Sequence, residues 1–137
     1  MSESVFLYLG GLPQFAAYFV SAVALTLLYA VIYARITPHH EWSLIKQNCP
    51  AAAVAFGGSL LGFVLPLASA IENSVNLLDC VLWGVVALLV QIGTFYFIRL
   101  FMPKISERIA NNEMAAGVWV AAASVAAGLL NAASMTY

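Results

Sequence analysis

Long apolar runs alternate with short polar breaks along this chain, and four of the runs are long enough to cross a bilayer. The first covers residues 12–36 and carries no charge before Arg35. The second, 51–71, and the fourth, 114–133, carry none, and the third, 80–101, carries Arg99 near its end. At 1.5 Å per residue, each run spans the roughly 30 Å of membrane hydrocarbon as a helix. The runs are continuously apolar rather than alternating, which argues against a β-barrel. Gly57, Gly58, Gly62 and Pro66 fall inside the second run, and membrane helices tolerate both residue types. The pattern predicts an all-α, polytopic membrane protein of four transmembrane helices. Residues 1–11 hold no Lys or Arg, so the first run lacks the basic segment of a cleaved signal peptide and reads as a retained span.

The breaks themselves repeat. Pro38 closes the first run and Pro103 the third, each followed by a short amphipathic stretch that ends in Asn48 or in Asn111-Asn112. Ala51-Ala52-Ala53-Val54 then matches Ala115-Ala116-Gly117-Val118, and Gly58-x-x-x-Gly62 matches Ser124-x-x-x-Gly128. In the odd-numbered runs Gln14 aligns with Asp79, Tyr18 with Trp83 and Thr26 with Gln91. The chain therefore divides into two tandem two-helix repeats, 1–72 and 73–137, within one membrane domain. An even number of spans per unit gives both copies the same orientation, related by an axis along the membrane normal.

Composition narrows the class. Of 137 residues, 64% are hydrophobic and 8% charged, with two cysteines, where a soluble domain is roughly a quarter charged. This excludes a disordered chain, a nucleic-acid binder with a basic face and a disulfide-rich module. The placement of charge says more than its amount. Arg35 and Lys46 flank the first break, Arg99, Lys104 and Arg108 flank the third, and no other Lys or Arg exists. The positive-inside rule puts both of these loops in the cytoplasm and both termini on the opposite side of the membrane.

Candidate chemistry is sparse. Asn48 and Asn112 each stand just before a span and are read as caps of its first turn, with Pro50 suited to a helix start. The two loop segments are read as interfacial, with small apolar faces made by Trp42 with Ile45 and by Ile105 with Ile109. Gly58, Gly62, Ser124 and Gly128 form small-xxx-small motifs, which let helices approach closely either within the four-helix unit or between copies. Thr26, Gln91 and Ser124 fall near the midplane. An amide there needs a partner, and the reading is that Gln91 bonds to a hydroxyl such as that of Thr26 or Ser124, as a structural clamp or as the lining of a path.

No Asp, Glu, Lys, Arg or His lies mid-span, which counts against an ion-coupled carrier. Gln14, Glu72, Asn73, Asn76, Asp79 and Asn131 gather toward the opposite face, as the wet end of a bundle or a polar vestibule. His39 and His40 are adjacent and make no His-x-x-x-His pair, so no metal site is assigned. Cys49 and Cys80 lie at opposite membrane edges and are not paired. No nucleophile elbow, phosphate-binding glycine loop or spaced carboxylate pair is present, so no enzyme activity and no cofactor are assigned.

Further residues carry a family resemblance. These are Ile36-Thr37-Pro38-His39, Glu41-Trp42, Leu44-Ile45-Lys46, Asn48, Ala51-Ala52-Ala53, Gly58-x-Leu60-Leu61-Gly62 and Pro66-Leu67 in the first half. In the second half they are Trp83-Gly84, Gln91, Arg99-Leu100, Met102-Pro103, Ala115-Ala116-Gly117 and Asn131-Ala132-Ala133-x-Met135-Thr136. Over nearly its whole length the chain resembles the YjfL family of small bacterial inner-membrane proteins. The resemblance implies a four-span, duplicated membrane protein with no firmly assigned activity, associated with phage-shock-type membrane-maintenance systems and peptide-ligase-like partners. Two functions are carried forward. One is a non-catalytic membrane-maintenance module whose cytoplasmic surface (Arg35, Trp42, Lys46, Arg99, Lys104, Arg108) docks soluble membrane-stress proteins. The other is a small oligomeric channel or passive transporter. The expected partners are the lipid bilayer and further copies of the chain, and no nucleic acid.

Overall fold

A computed structural model of the chain describes residues 2–37 and 41–135. Among these, the regular elements are helices: α1 (Ser2–Ile36), α2 (Glu41–Lys46), α3 (Pro50–Asn73), α4 (Leu77–Phe101), α5 (Ile105–Ala110) and α6 (Met114–Ser134). Four of them, α1, α3, α4 and α6, are long and apolar enough to cross a membrane. Their bounds follow the apolar runs, with one correction. α1 begins at Ser2 rather than near residue 12, and Pro13 lies inside it. Val5 to Leu9 are all apolar, so once this segment leaves water its backbone groups are best satisfied by continuing the helix. The result is about 52 Å of helix at 1.5 Å per residue.

The centre of the molecule is the pairing of α3 with α6. Small residues decide how close the two helices come. The α-carbon of Gly58 lies against Ala121, that of Gly62 against the Ser124 carbonyl, that of Gly117 against the Ala51 backbone, and that of Gly128 against the Gly62 backbone. At each of these glycines a Cβ would strike its neighbour. Without a hydrophobic drive between membrane helices, this backbone-to-backbone fit supplies the van der Waals contact that holds them. Gly57 and Gly93, by contrast, face open space.

α4 packs across this pair and α1 lies outermost. α1 is fastened mainly by its second half, with Tyr18 also packing on the cluster at the far end of the bundle. Tyr29 stacks on Phe63 of α3 with ring centroids 4.7 Å apart, and Tyr33 meets Phe95 of α4 edge-on at 5.6 Å. Leu67, Ala87 and Leu88 complete this aromatic cluster. Toward its start, residues 3–17 of α1 are exposed throughout. Only 6% of α1's apolar window is buried, against 44% for α3, so α1 presents most of its surface to lipid or to other chains. At the end of the bundle that carries α2 and α5, Ala52, Ala55, Ile98, Ile105, Ile109 and Val120 form a second cluster. Ile105 and Ile109 are therefore turned into the protein, and the interfacial reading of that pair is corrected. At the other end Ala70, Cys80 and Met135 close the bundle.

Candidate functional site

The residues with chemistry to offer collect in a layer at the α2/α5 end and in one polar contact inside the membrane. The layer is built by two matching turns. α2 ends where the Cys49 N–H bonds the Leu44 carbonyl at 2.9 Å and the Asn48 N–H bonds that of Ile45 at 3.0 Å. α5 ends in the same way, with Glu113 bonded to Arg108 at 3.0 Å and Asn112 to Ile109 at 2.9 Å. These paired bonds define a Schellman motif, which needs a left-handed residue at its corner. Asn48, with φ 63°, and Asn112, with φ 58°, fill that position. Asn is one of the few residues besides glycine that does so at low cost.

The expectation that Asn48 and Asn112 cap the spans following them is thus corrected. The residues preceding α3 and α6 are Cys49 and Glu113, and neither side chain makes a capping bond. Asn112 does cap a helix, but the other one: its Oδ1 accepts the Ala51 N–H at 3.1 Å, in the first turn of α3. The Cys49 thiol also approaches it, at 3.7 Å, beside the Ile109 carbonyl at 3.6 Å.

On this frame the cations face outward. Lys46 Nζ lies 5.5 Å from the centre of the exposed Trp42 ring, one helical turn away. Arg35, Arg99 and Lys104 are exposed, and Arg108 is partly so, its Nε donating to Glu113 Oε1 at 3.1 Å. Met102, Pro103, Lys104, Ile105 and Arg108 line an open cavity of about 360 Å³. His39 and His40 lie outside the described residues. Among those described, no three of His, Cys, Asp and Glu group to hold a metal ion.

Inside the membrane, Gln91 is buried and its Nε2 donates to the Ser124 backbone carbonyl at 3.0 Å. The sequence reading placed a hydroxyl there; the hydroxyl is replaced by a carbonyl that the close Gly62 contact leaves within reach. Thr26 does not join this pair. Its hydroxyl donates back to the Ala22 carbonyl at 2.8 Å, on the groove between α1 and α3. At the end of the bundle away from α2 and α5, Asn76 and Asp79 are helix-cap residues. Asn76 Oδ1 accepts the Asp79 N–H at 2.9 Å, and Asp79 Oδ2 accepts the Val75 N–H at 3.2 Å. Asn76-x-x-Asp79 is a capping-box spacing that the sequence displays and that the vestibule reading passed over. Gln14 and Glu72 line a shared cavity of about 510 Å³ there.

Comparison with known proteins agrees with this architecture. The UPF0719 inner membrane protein YjfL of Escherichia coli (strain K12) is 47% identical over 129 residues, which are 94% of this chain and 98% of that protein. The UPF0719 transmembrane protein YshE of Bacillus subtilis (strain 168) is 28% identical over 108 residues, 77% of this chain and 81% of that protein. Those names state a membrane location and no reaction. No solved structure matches the chain. The family model described as Domain of Unknown Function (DUF350) matches residues 6–135, and the chain belongs to that family of membrane proteins.

Proposed function

We propose that this protein is a non-catalytic membrane-maintenance module that docks soluble membrane-stress proteins on its α2/α5 layer. The observation carrying the reading is that layer itself: the basic residues, with Trp42, stand on a frame fixed by two Schellman turns. Beneath it the seam between α3 and α6 is closed at backbone contact by Gly58, Gly62, Gly117 and Gly128. Gln91, packed at its middle, donates its Nε2 N–H to the Ser124 carbonyl. A path through the single chain has no room along this seam, which is why docking ranks above transport.

In this reading the layer faces the cytoplasm and both termini face the periplasm, following the charge asymmetry. Two tandem repeats of one orientation fit the matched turns at Asn48 and Asn112 and the pairing of Ala51 with Gly117 and of Gly62 with Gly128. A homo-oligomer formed through α1 fits that helix's small buried fraction. The test is in-cell photo-crosslinking from position 42 and position 104. Recovery of the same soluble protein from both positions supports docking, and crosslinks to lipid alone refute it.

A further inference from the structure

The geometry points to a binding site for one anionic phospholipid, formed by the groove between α4 and α6 together with the basic corner where α4 passes into α5. The groove encloses about 540 Å³ and is lined by Gly93, Thr94, Phe97, Phe101, Trp119 and Ala127, among others. Its floor is low because Gly93 has open space where a Cβ would stand, opposite the small residues of α6. Its walls are the exposed rings of Phe97, Phe101 and Trp119. The Thr94 hydroxyl is turned back to the Val90 carbonyl at 2.8 Å, so it is not a free donor in the groove. Such a furrow matches a hydrocarbon chain.

The groove does not end in hydrocarbon. Phe101 is its last α4 residue, and the next residue, Met102, begins the second cavity, lined by Pro103, Lys104, Ile105 and Arg108. Lys104 and Arg108 stand one helical turn apart on its rim. The bond from Arg108 Nε to Glu113 uses one of the five guanidinium N–H groups and leaves the others available for a phosphate. No carboxylate lines this cavity. Met102, Pro103 and Ile105 make the rest of it apolar, which suits a headgroup with a chain attached better than a free phosphate. Cations at the membrane surface favour anionic over neutral lipid by roughly fivefold each.

The test uses purified protein with Trp42→Phe and Trp83→Phe, which leaves Trp119 as the reporter on the groove. The protein is placed in phosphatidylcholine vesicles containing a minor fraction of either phosphatidylglycerol or phosphatidylcholine with brominated chains. Bromine quenches an adjacent indole. The expected result is that the anionic lipid quenches Trp119 with an apparent preference of about fivefold or more. Lys104→Gln with Arg108→Gln removes the preference, and Gly93→Leu, which fills open space, lowers quenching by the anionic lipid at unchanged helicity. Equal quenching by the two lipids, or a preference that survives the double substitution, overturns the site. Loss of the preference on adding millimolar inorganic phosphate also overturns it, assigning the corner to a soluble anion. The assay contains only protein and lipid, so its outcome is independent of whether a soluble partner docks.

Discussion

Asn112 caps a helix 61 residues before it: its Oδ1 accepts the N–H of Ala51 at 3.1 Å, while its own backbone turns the chain from α5 into α6. One side chain thus ties the turn of the second half to the start of α3 in the first. Asn48, its counterpart, makes the same turn with an exposed side chain.

The two asparagines should therefore respond differently to substitution. Asn112→Gly keeps the left-handed turn and loses the cap, a cost of about 1 kcal/mol. Asn112→Ala loses both, about 2 kcal/mol. Asn48→Gly is close to neutral, and Asn48→Ala costs about 1 kcal/mol. Unfolding in micelles followed by circular dichroism ranks the four, and equal losses for the two glycine variants would contradict the cross-half cap.

The helix seam predicts a contrast among glycines. Gly128→Ala drives a methyl into the Gly62 backbone, and Gly62→Ala into the Ser124 carbonyl, whereas Gly57→Ala meets open space. Backbone cannot swing aside as a side chain can, so the first two lose about 1–3 kcal/mol. Gly57→Ala stays within about 0.5 kcal/mol. Comparable unfolding midpoints for all three would show that α3 and α6 are not in backbone contact.

The Gln91 bond makes a prediction specific to its partner. Gln91→Leu loses about 0.6–2 kcal/mol. The acceptor is the carbonyl of residue 124 and not its hydroxyl, so Ser124→Ala leaves the bond in place. The double-mutant cycle Gln91→Leu with Ser124→Ala should show coupling near zero. Coupling of about 0.6 kcal/mol or more would place the bond on the hydroxyl.

Self-association through α1 predicts where copies touch. In a background of Cys49→Ser and Cys80→Ser, cysteines introduced at Leu12, Phe15 and Phe19 should form disulfide-linked dimers under mild oxidation in membranes. Cysteines at Leu89 and Leu100 of α4, equally exposed, should not. Equal trapping from both helices would remove the case for an α1 interface.

The four spans were readable because apolar length and charge placement are one-dimensional signals, and the bilayer enforces them. The start of α1 was not, since Gly10, Gly11 and Pro13 punctuate helices in water but far less in lipid. The asparagines illustrate a different limit. Asn is favoured both before a helix and at a left-handed corner after one. Only the fold around Asn48 and Asn112 reveals that the corner is used, and the reach of Asn112 to Ala51 depends on how α3 and α6 pack. Gln91 was legible as a buried amide in need of a partner. Its acceptor was not, because a backbone carbonyl opposite a glycine leaves no mark in side-chain identity. Thr26 aligned with Gln91 in sequence, yet its hydroxyl turns back onto its own helix, an option open to threonine and not to glutamine.

The proposed docking role of the α2/α5 layer is tested most directly by in-cell crosslinking from position 104, comparing the native chain with one carrying Trp42→Ala and Lys46→Gln. Arg35, Arg99 and Arg108 remain in both, so the charge asymmetry that sets orientation is kept. The account predicts a discrete crosslinked soluble protein with the native chain and at least a severalfold loss of it with the variant, at equal membrane abundance. An undiminished crosslink, or none from the native chain, would contradict it.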